Sequence, residues 1–163
     1  MVKTAALVGL VGATLMIIPA GIMFMVTLFL TAIFQAIYPM IVGRALPIPI
    51  DVAPFVAAAM PILYAAMGWI TIVLVASIVA LCGAVRAIID GRGGIMLIIS
   101  SLAYLILAII VPIILGRDAI GTIISVMILG LIGSILGVIG GIMVSRAKPP
   151  TIQSATHPSS TLT

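Results

Sequence analysis

Four long runs without a single charged residue dominate this sequence, at positions 4–43, 52–85, 93–116 and 119–145. A run of about 20 apolar residues crosses the hydrocarbon core of a bilayer as a helix. Backbone N–H and C=O groups find no partner in lipid, so each run must satisfy its own backbone, and the helix does this within one segment. Period-two alternation, the mark of a membrane barrel, is absent from these runs. The expected fold is all-α: a polytopic integral membrane protein, a four-transmembrane-helix antiparallel bundle with two over-long first helices. The expected spans are about 4–38, 54–89, 95–116 and 119–145, within a membrane domain of residues 1–147.

Composition enters at this point, because it closes the soluble alternative. The 163 residues are 64% hydrophobic and 6% charged, and the mean hydropathy is +1.54. Soluble domains are about 25% charged, and a chain this poor in polar surface cannot cover a core of this size in water. Residues 148–163 change character. Lys148, Pro149, Pro150 and the Ser/Thr-rich remainder cannot pack a core, so they form a separate polar tail. The chain has no Asn and few Gln. Depletion of thermolabile amides is one thermophile signature, which points to a thermophilic, archaeal type of source.

The basic residues stand singly at the ends of the runs. Four spans place Lys3, Arg86, Arg92, Arg146 and Lys148 on one side and Arg44 and Arg117 on the other. The positive-inside rule then puts both termini in the cytoplasm of a multi-pass cell-membrane protein. A net charge of +4 spread this way offers no face for nucleic acid. Lys3 and the following apolar stretch resemble the start of a signal peptide. The run continues past Pro19-Ala20-Gly21 to Tyr38 without a polar mature start, so it reads as a retained first span.

Connections follow from the punctuation. Asp51 and Asp118 precede apolar runs and suit the cap position of a helix. Pro54 then falls in a first turn, where its missing N–H costs nothing. Asp90-Gly91-Arg92-Gly93-Gly94 supplies glycines for a helix end and a tight turn. The first two runs are too long for a bilayer: 4–38 alone is about 52 Å of helix against a core of about 30 Å. The first hairpin is therefore expected to project on the outer side, with an apolar connector at Leu46-Pro47-Ile48-Pro49-Ile50. Apolar surface of that kind marks a contact with something.

Small residues at four-residue spacing let helix backbones approach in lipid. The last run carries Gly133, Gly137 and Gly141, widened by Gly130, Ser134 and Gly140. The first has Ala5, Gly9 and Ala13, and the second has Ala76, Ala80 and Ala84. These are the expected helix-packing residues. The third run is poorer in small residues, and its Leu and Ile positions are expected to face lipid.

Chemistry is scarce. There are three Asp, no Glu, one His and one Cys. Haem takes axial ligands, most often His, and His157 lies in the tail. Iron–sulfur and zinc sites need several Cys or His, and Cys82 stands alone. A nucleophilic hydroxyl needs a neighbouring base, and Thr71, Ser77, Ser100 and Ser101 have none in their runs. Met residues such as Met16, Met23, Met60 and Met127 occur without the spacing of a copper path and read as gap-fillers. Arg86 and Asp90 suit an i, i+4 pair at the end of the second run. No catalytic residue, cofactor or metal is expected. The reading is a non-catalytic structural or accessory subunit within a larger membrane complex, such as a respiratory or other redox assembly. Its partners are the lipid bilayer and other membrane subunits or further copies of the chain. The alternatives are a homo-oligomeric pore or small-solute facilitator, and a structural membrane protein of an enveloped particle or surface layer.

Overall fold

The computed structural model describes residues 2–42, 53–115 and 117–147. They form four helices, α1 (Val2–Val42), α2 (Ala53–Asp90), α3 (Gly94–Leu115) and α4 (Arg117–Arg146), and no strand occurs among the described residues. Three of them contain stretches long and apolar enough to cross a membrane: Lys3–Met40, Ala58–Asp90 and Met127–Arg146. The corresponding described stretch of α3, Gly94–Ile110, is shorter. The helix bounds fall within a few residues of those read from the sequence. Asp118, expected just before the last helix, instead occupies the second position of α4. Asp51 and the connector 46–50 lie outside the described residues. Pro54 sits at the second position of α2, as its chemistry requires. Pro19, Pro39 and Pro61 lie inside helices that continue through them.

Each helix packs on two neighbours. α1 lies against α2 and α4, and α3 lies against α2 and α4, while the two diagonal pairs barely touch. Cross-contacts fix the directions. Ala5 and Ala6 cluster with Ala87, and Gln35 meets Tyr64, so α1 and α2 run antiparallel. Gly9 abuts Gly140, and Gly12 abuts Gly133; Gly94 abuts Gly141, and Tyr104 lies against Gly130. All adjacent pairs are thus antiparallel. The α2–α3 turn uses the expected glycines, with Gly91 at φ 66° and Gly93 at φ 126°, values that a side chain makes costly. The Gly91 N–H donates to the Ala87 carbonyl at 3.2 Å and closes the end of α2.

The helices differ in length. α1 has 41 residues and α2 has 38, about 61 and 57 Å; α3 has 22, about 33 Å. The Trp69 indole N–H donates to the Leu107 carbonyl at 3.3 Å, and Gly83 lies against the Leu97 backbone and sets α2 and α3 level. From there α2 runs about 45 Å back to Ala53, and α3 runs about 27 Å on to Leu115. The first hairpin therefore overhangs α3 by about 18 Å.

The interior is filled with large side chains. Met16, Ile70, Val73, Leu97, Tyr104 and Met127 are buried in one cluster, with Trp69 at its edge. Leu97 and Tyr104 belong to α3, so that helix turns part of its apolar content inward, while Ile95, Ile99, Ile106 and Ile113 face out.

Candidate functional site

The residues read from the sequence as packing positions gather into two glycine faces on α4. An alanine at Gly133 would place its Cβ 2.6 Å from the Gly12 carbonyl oxygen of α1. At Gly140 the same atom would lie 2.6 Å from the Gly9 nitrogen and 3.0 Å from the Ala5 carbonyl oxygen. At Gly141 it would lie 2.8 Å from the Gly94 carbonyl oxygen of α3. At Gly130 it would collide with the Tyr104 ring, and at Gly137 with the Ser101 hydroxyl. The single stripe of the sequence is therefore two seams: Gly133 and Gly140 face α1, and Gly130, Gly137 and Gly141 face α3. Gly12, absent from the spacing Ala5, Gly9 and Ala13, is a point of close approach on α1 alongside Gly9. Its own Cβ would sit 2.6 Å from both the Gly133 oxygen and the Gly137 nitrogen.

On α2 the small residues divide. Ala80 and Ala84 are fully buried, whereas Ala76 is half-buried and borders an open groove towards α3. Ser77 replaces Ala76 in the interior.

The hydroxyls in the helices mostly bond to their own backbone, one turn back, as Ser and Thr commonly do within helices. Thr27 donates to the Met23 carbonyl at 2.8 Å, Thr31 to Thr27 at 2.8 Å, Ser77 to Val73 at 2.8 Å and Ser134 to Leu131 at 2.8 Å. Gln35 spends its amide N–H on the Tyr64 hydroxyl at 2.9 Å. The Tyr104 hydroxyl donates to the Met127 sulfur at 3.4 Å, so this methionine fills a gap and also accepts a bond. Ser101 alone among the described residues keeps a buried side-chain oxygen without a partner. Its hydroxyl lies where Gly137 lacks a side chain. Neither Thr31 nor Ser101 differs from the other hydroxyls in local sequence, so nothing in the spacing singles them out.

Four of the basic residues share one end of the molecule, and Arg117, at the start of α4, stands at the other. Antiparallel packing brings Lys3 at the start of α1, Arg86 near the end of α2, Arg92 in the turn and Arg146 at the end of α4 to the same level. Lys148 lies outside the described residues. Arg86 approaches Asp90 at 3.9 Å, the one ion pair among the described residues, with both side chains more than half exposed. A pair this exposed and this long adds little stability.

Three hollows surround these arginines. The largest, about 640 Å³, runs between α2 and α3 and is lined by Ile72, Val79, Met96, Ile99 and Leu107, with Arg86 and Arg92 at one end. A second lies beside Arg86 along α2 and includes Cys82. A third lies beside Arg92, towards Ser145. Among the described residues no group of three His, Cys, Asp or Glu side chains could hold a metal ion. Comparison with protein-family models, with curated proteins and with solved structures gives no match to this chain.

Proposed function

We propose that the chain is a four-span membrane protein with both termini in the cytoplasm, and that it serves as a non-catalytic accessory subunit packed among larger membrane partners. One observation carries this reading: the outward surface of all four helices is apolar. Phe29, Phe55, Ile89, Ile95 and Ile113 are each about two-thirds exposed or more. Soluble monomers rarely expose contiguous apolar patches beyond a few hundred Å². The interior supports a packing role rather than a transport role for a single copy. Met16, Leu97, Tyr104 and Met127 fill the axis where a path would run, so a pore needs several copies around it. The overhanging part of α1 and α2, with Tyr38, Met40, Phe55 and Ile62 exposed, is the surface assigned to a partner beyond the lipid.

The test is purification in mild detergent, followed by mass spectrometry of what co-elutes. A membrane subunit at fixed ratio is the expected result. A homogeneous ring of this chain that passes solute across liposomes would replace the accessory reading with the facilitator. A preparation dominated by this chain in particles would favour the coat reading. Topology has its own measurement. Single cysteines at Thr151 and Leu46, in a Cys82→Ser background, should label from opposite sides of the membrane. Labelling from one side would remove the four-span arrangement.

A further inference from the structure

The groove between α2 and α3 has features that helix packing does not require. α2 and α3 make the least contact of the four adjacent pairs. They meet closely at the turn, where a Cβ on Gly83 would lie 3.0 Å from the Leu97 nitrogen. They meet again at Trp69 and Leu107. Between these points Ala76 and Ala103 leave a hollow that no side chain of this chain enters. The wall is apolar, and the Ser100 hydroxyl beside it is already spent on the Met96 carbonyl at 2.7 Å. From Gly93 to Leu107 the groove runs about 21 Å along α3. One leaflet of the hydrocarbon core is about 15 Å thick, so the hollow has the length of a lipid chain rather than that of a small solute.

Its charged end supplies the second half of the recognition. Arg86 and Arg92 both line the mouth. Asp90 engages only the Arg86 Nε, at 3.9 Å. Arg92 has no carboxylate among the described residues. Lys3 and Arg146 stand at the same level, so four cations face one carboxylate at this end. A guanidinium presents a planar fork of donors that matches a phosphate, and two of them at a groove mouth favour an anionic headgroup.

We propose that this groove binds an anionic phospholipid, with one acyl chain between α2 and α3 and the phosphate held at Arg86 and Arg92. The inference rests on the membrane reading above. The bound lipid completes the seam that the two helices leave open, and it ties the α2–α3 turn to one leaflet.

Trp69 is the chain's single tryptophan, and its bond to Leu107 places it at the inner end of the groove. The full-length protein is reconstituted into phosphatidylcholine vesicles containing a minor fraction of brominated phosphatidylglycerol or brominated phosphatidylcholine. Flotation of the vesicles establishes insertion. Brominated phosphatidylglycerol should quench Trp69 several-fold more than the zwitterionic lipid at equal fraction. Arg86→Gln and Arg92→Gln should each weaken the anionic preference about fivefold. Arg146→Gln removes the same charge away from the groove and should weaken the preference clearly less than either groove arginine does. Ala76→Leu keeps every charge but fills the hollow, and it should abolish the preference. Equal quenching by both lipids in a protein that floats would overturn the site and leave the membrane reading standing. So would an Arg146→Gln effect as large as that of Arg92→Gln. A protein that does not float with the vesicles overturns both.

Discussion

The seam between α1 and α4 and the seam between α2 and α3 use similar residues to opposite effect. Along the first, Gly9 and Gly12 meet Gly140 and Gly133 backbone to backbone, and a Cβ on Gly12, Gly133 or Gly140 would run into the facing backbone. Along the second, alanines at 76 and 103 face a hollow of about 640 Å³. Neither seam is the more apolar. In lipid, apolarity gives helices no reason to prefer one another over the acyl chains. What closes a seam is dense dispersion contact, and that requires a residue without a side chain to meet its like at the same level. Where it does not, the helices part and lipid can take the space.

The largest effect should come from Gly12. A Cβ there meets the Gly133 carbonyl and the Gly137 nitrogen, both at 2.6 Å. Backbone cannot rotate away, so Gly12→Ala must push α1 and α4 apart along their length. Overpacking of a tight site costs about 1–3 kcal/mol and sometimes more, and this site belongs at the upper end. Thermal unfolding in detergent, followed by Trp69 fluorescence, should show a clear drop in midpoint. An unchanged midpoint would mean that glycine contact does not hold the first seam.

Gly137 distinguishes backbone contact from side-chain contact and should give a smaller effect. Its missing Cβ is replaced by the Ser101 hydroxyl, with the Ser101 Cβ at 3.1 Å and the Met16 methyl at 3.6 Å. Gly137→Ala should cost about 1–2 kcal/mol. Ser101→Ala loses no hydrogen bond, because that hydroxyl has no partner. It should be neutral or stabilising by up to about 1 kcal/mol, the desolvation it relieves. In the double variant the two changes should offset each other, so the pair is less destabilised than the sum of its parts. Strict additivity in a double-mutant cycle would show that Ser101 is not what fills the place of the absent side chain.

How much of this was legible in the sequence depends on what spacing along one chain can carry. The number of helices and the turn at Gly91 and Gly93 follow from charge-free runs and from glycine. The division of the α4 stripe does not. Each four-residue step around a helix drifts by about 40°, so Gly133, Gly137 and Gly141 turn away from one neighbour and towards another. Seven-residue spacing drifts by only about 20°, which is why Gly133 with Gly140 faces α1 and Gly130 with Gly137 faces α3. The same drift takes Ala76 out to the groove while Ala80 and Ala84 stay inside. Gly12, seven residues after Ala5, belongs to the tight face for this reason. The inward turn of Leu97 and Tyr104 was beyond reach for a different cause. On a helix that is apolar on every side, only the position of its neighbours decides which residues are core.

The smallest effect belongs to the glycines that touch nothing. Among the described residues, Gly21 and Gly68 have no atom beyond their own helix turns within 4 Å of where a Cβ would stand. In water, alanine favours a helix over glycine by about 1 kcal/mol. In lipid a non-helical backbone has no competing partner, so the gain is smaller. Gly21→Ala and Gly68→Ala should therefore leave the unfolding midpoint of the isolated protein unchanged or slightly raised, opposite in sign to Gly12→Ala. The comparison becomes sharper when the same variants are purified with whatever co-elutes. Gly68 is exposed on α2, near the overhang assigned to a partner. If Gly68→Ala leaves the isolated chain intact yet strips a co-purifying subunit, then Gly68 is half of a third glycine seam, closed by another protein. If the subunit stays, the partner meets this chain elsewhere, and the bare glycines are only lipid-facing gaps.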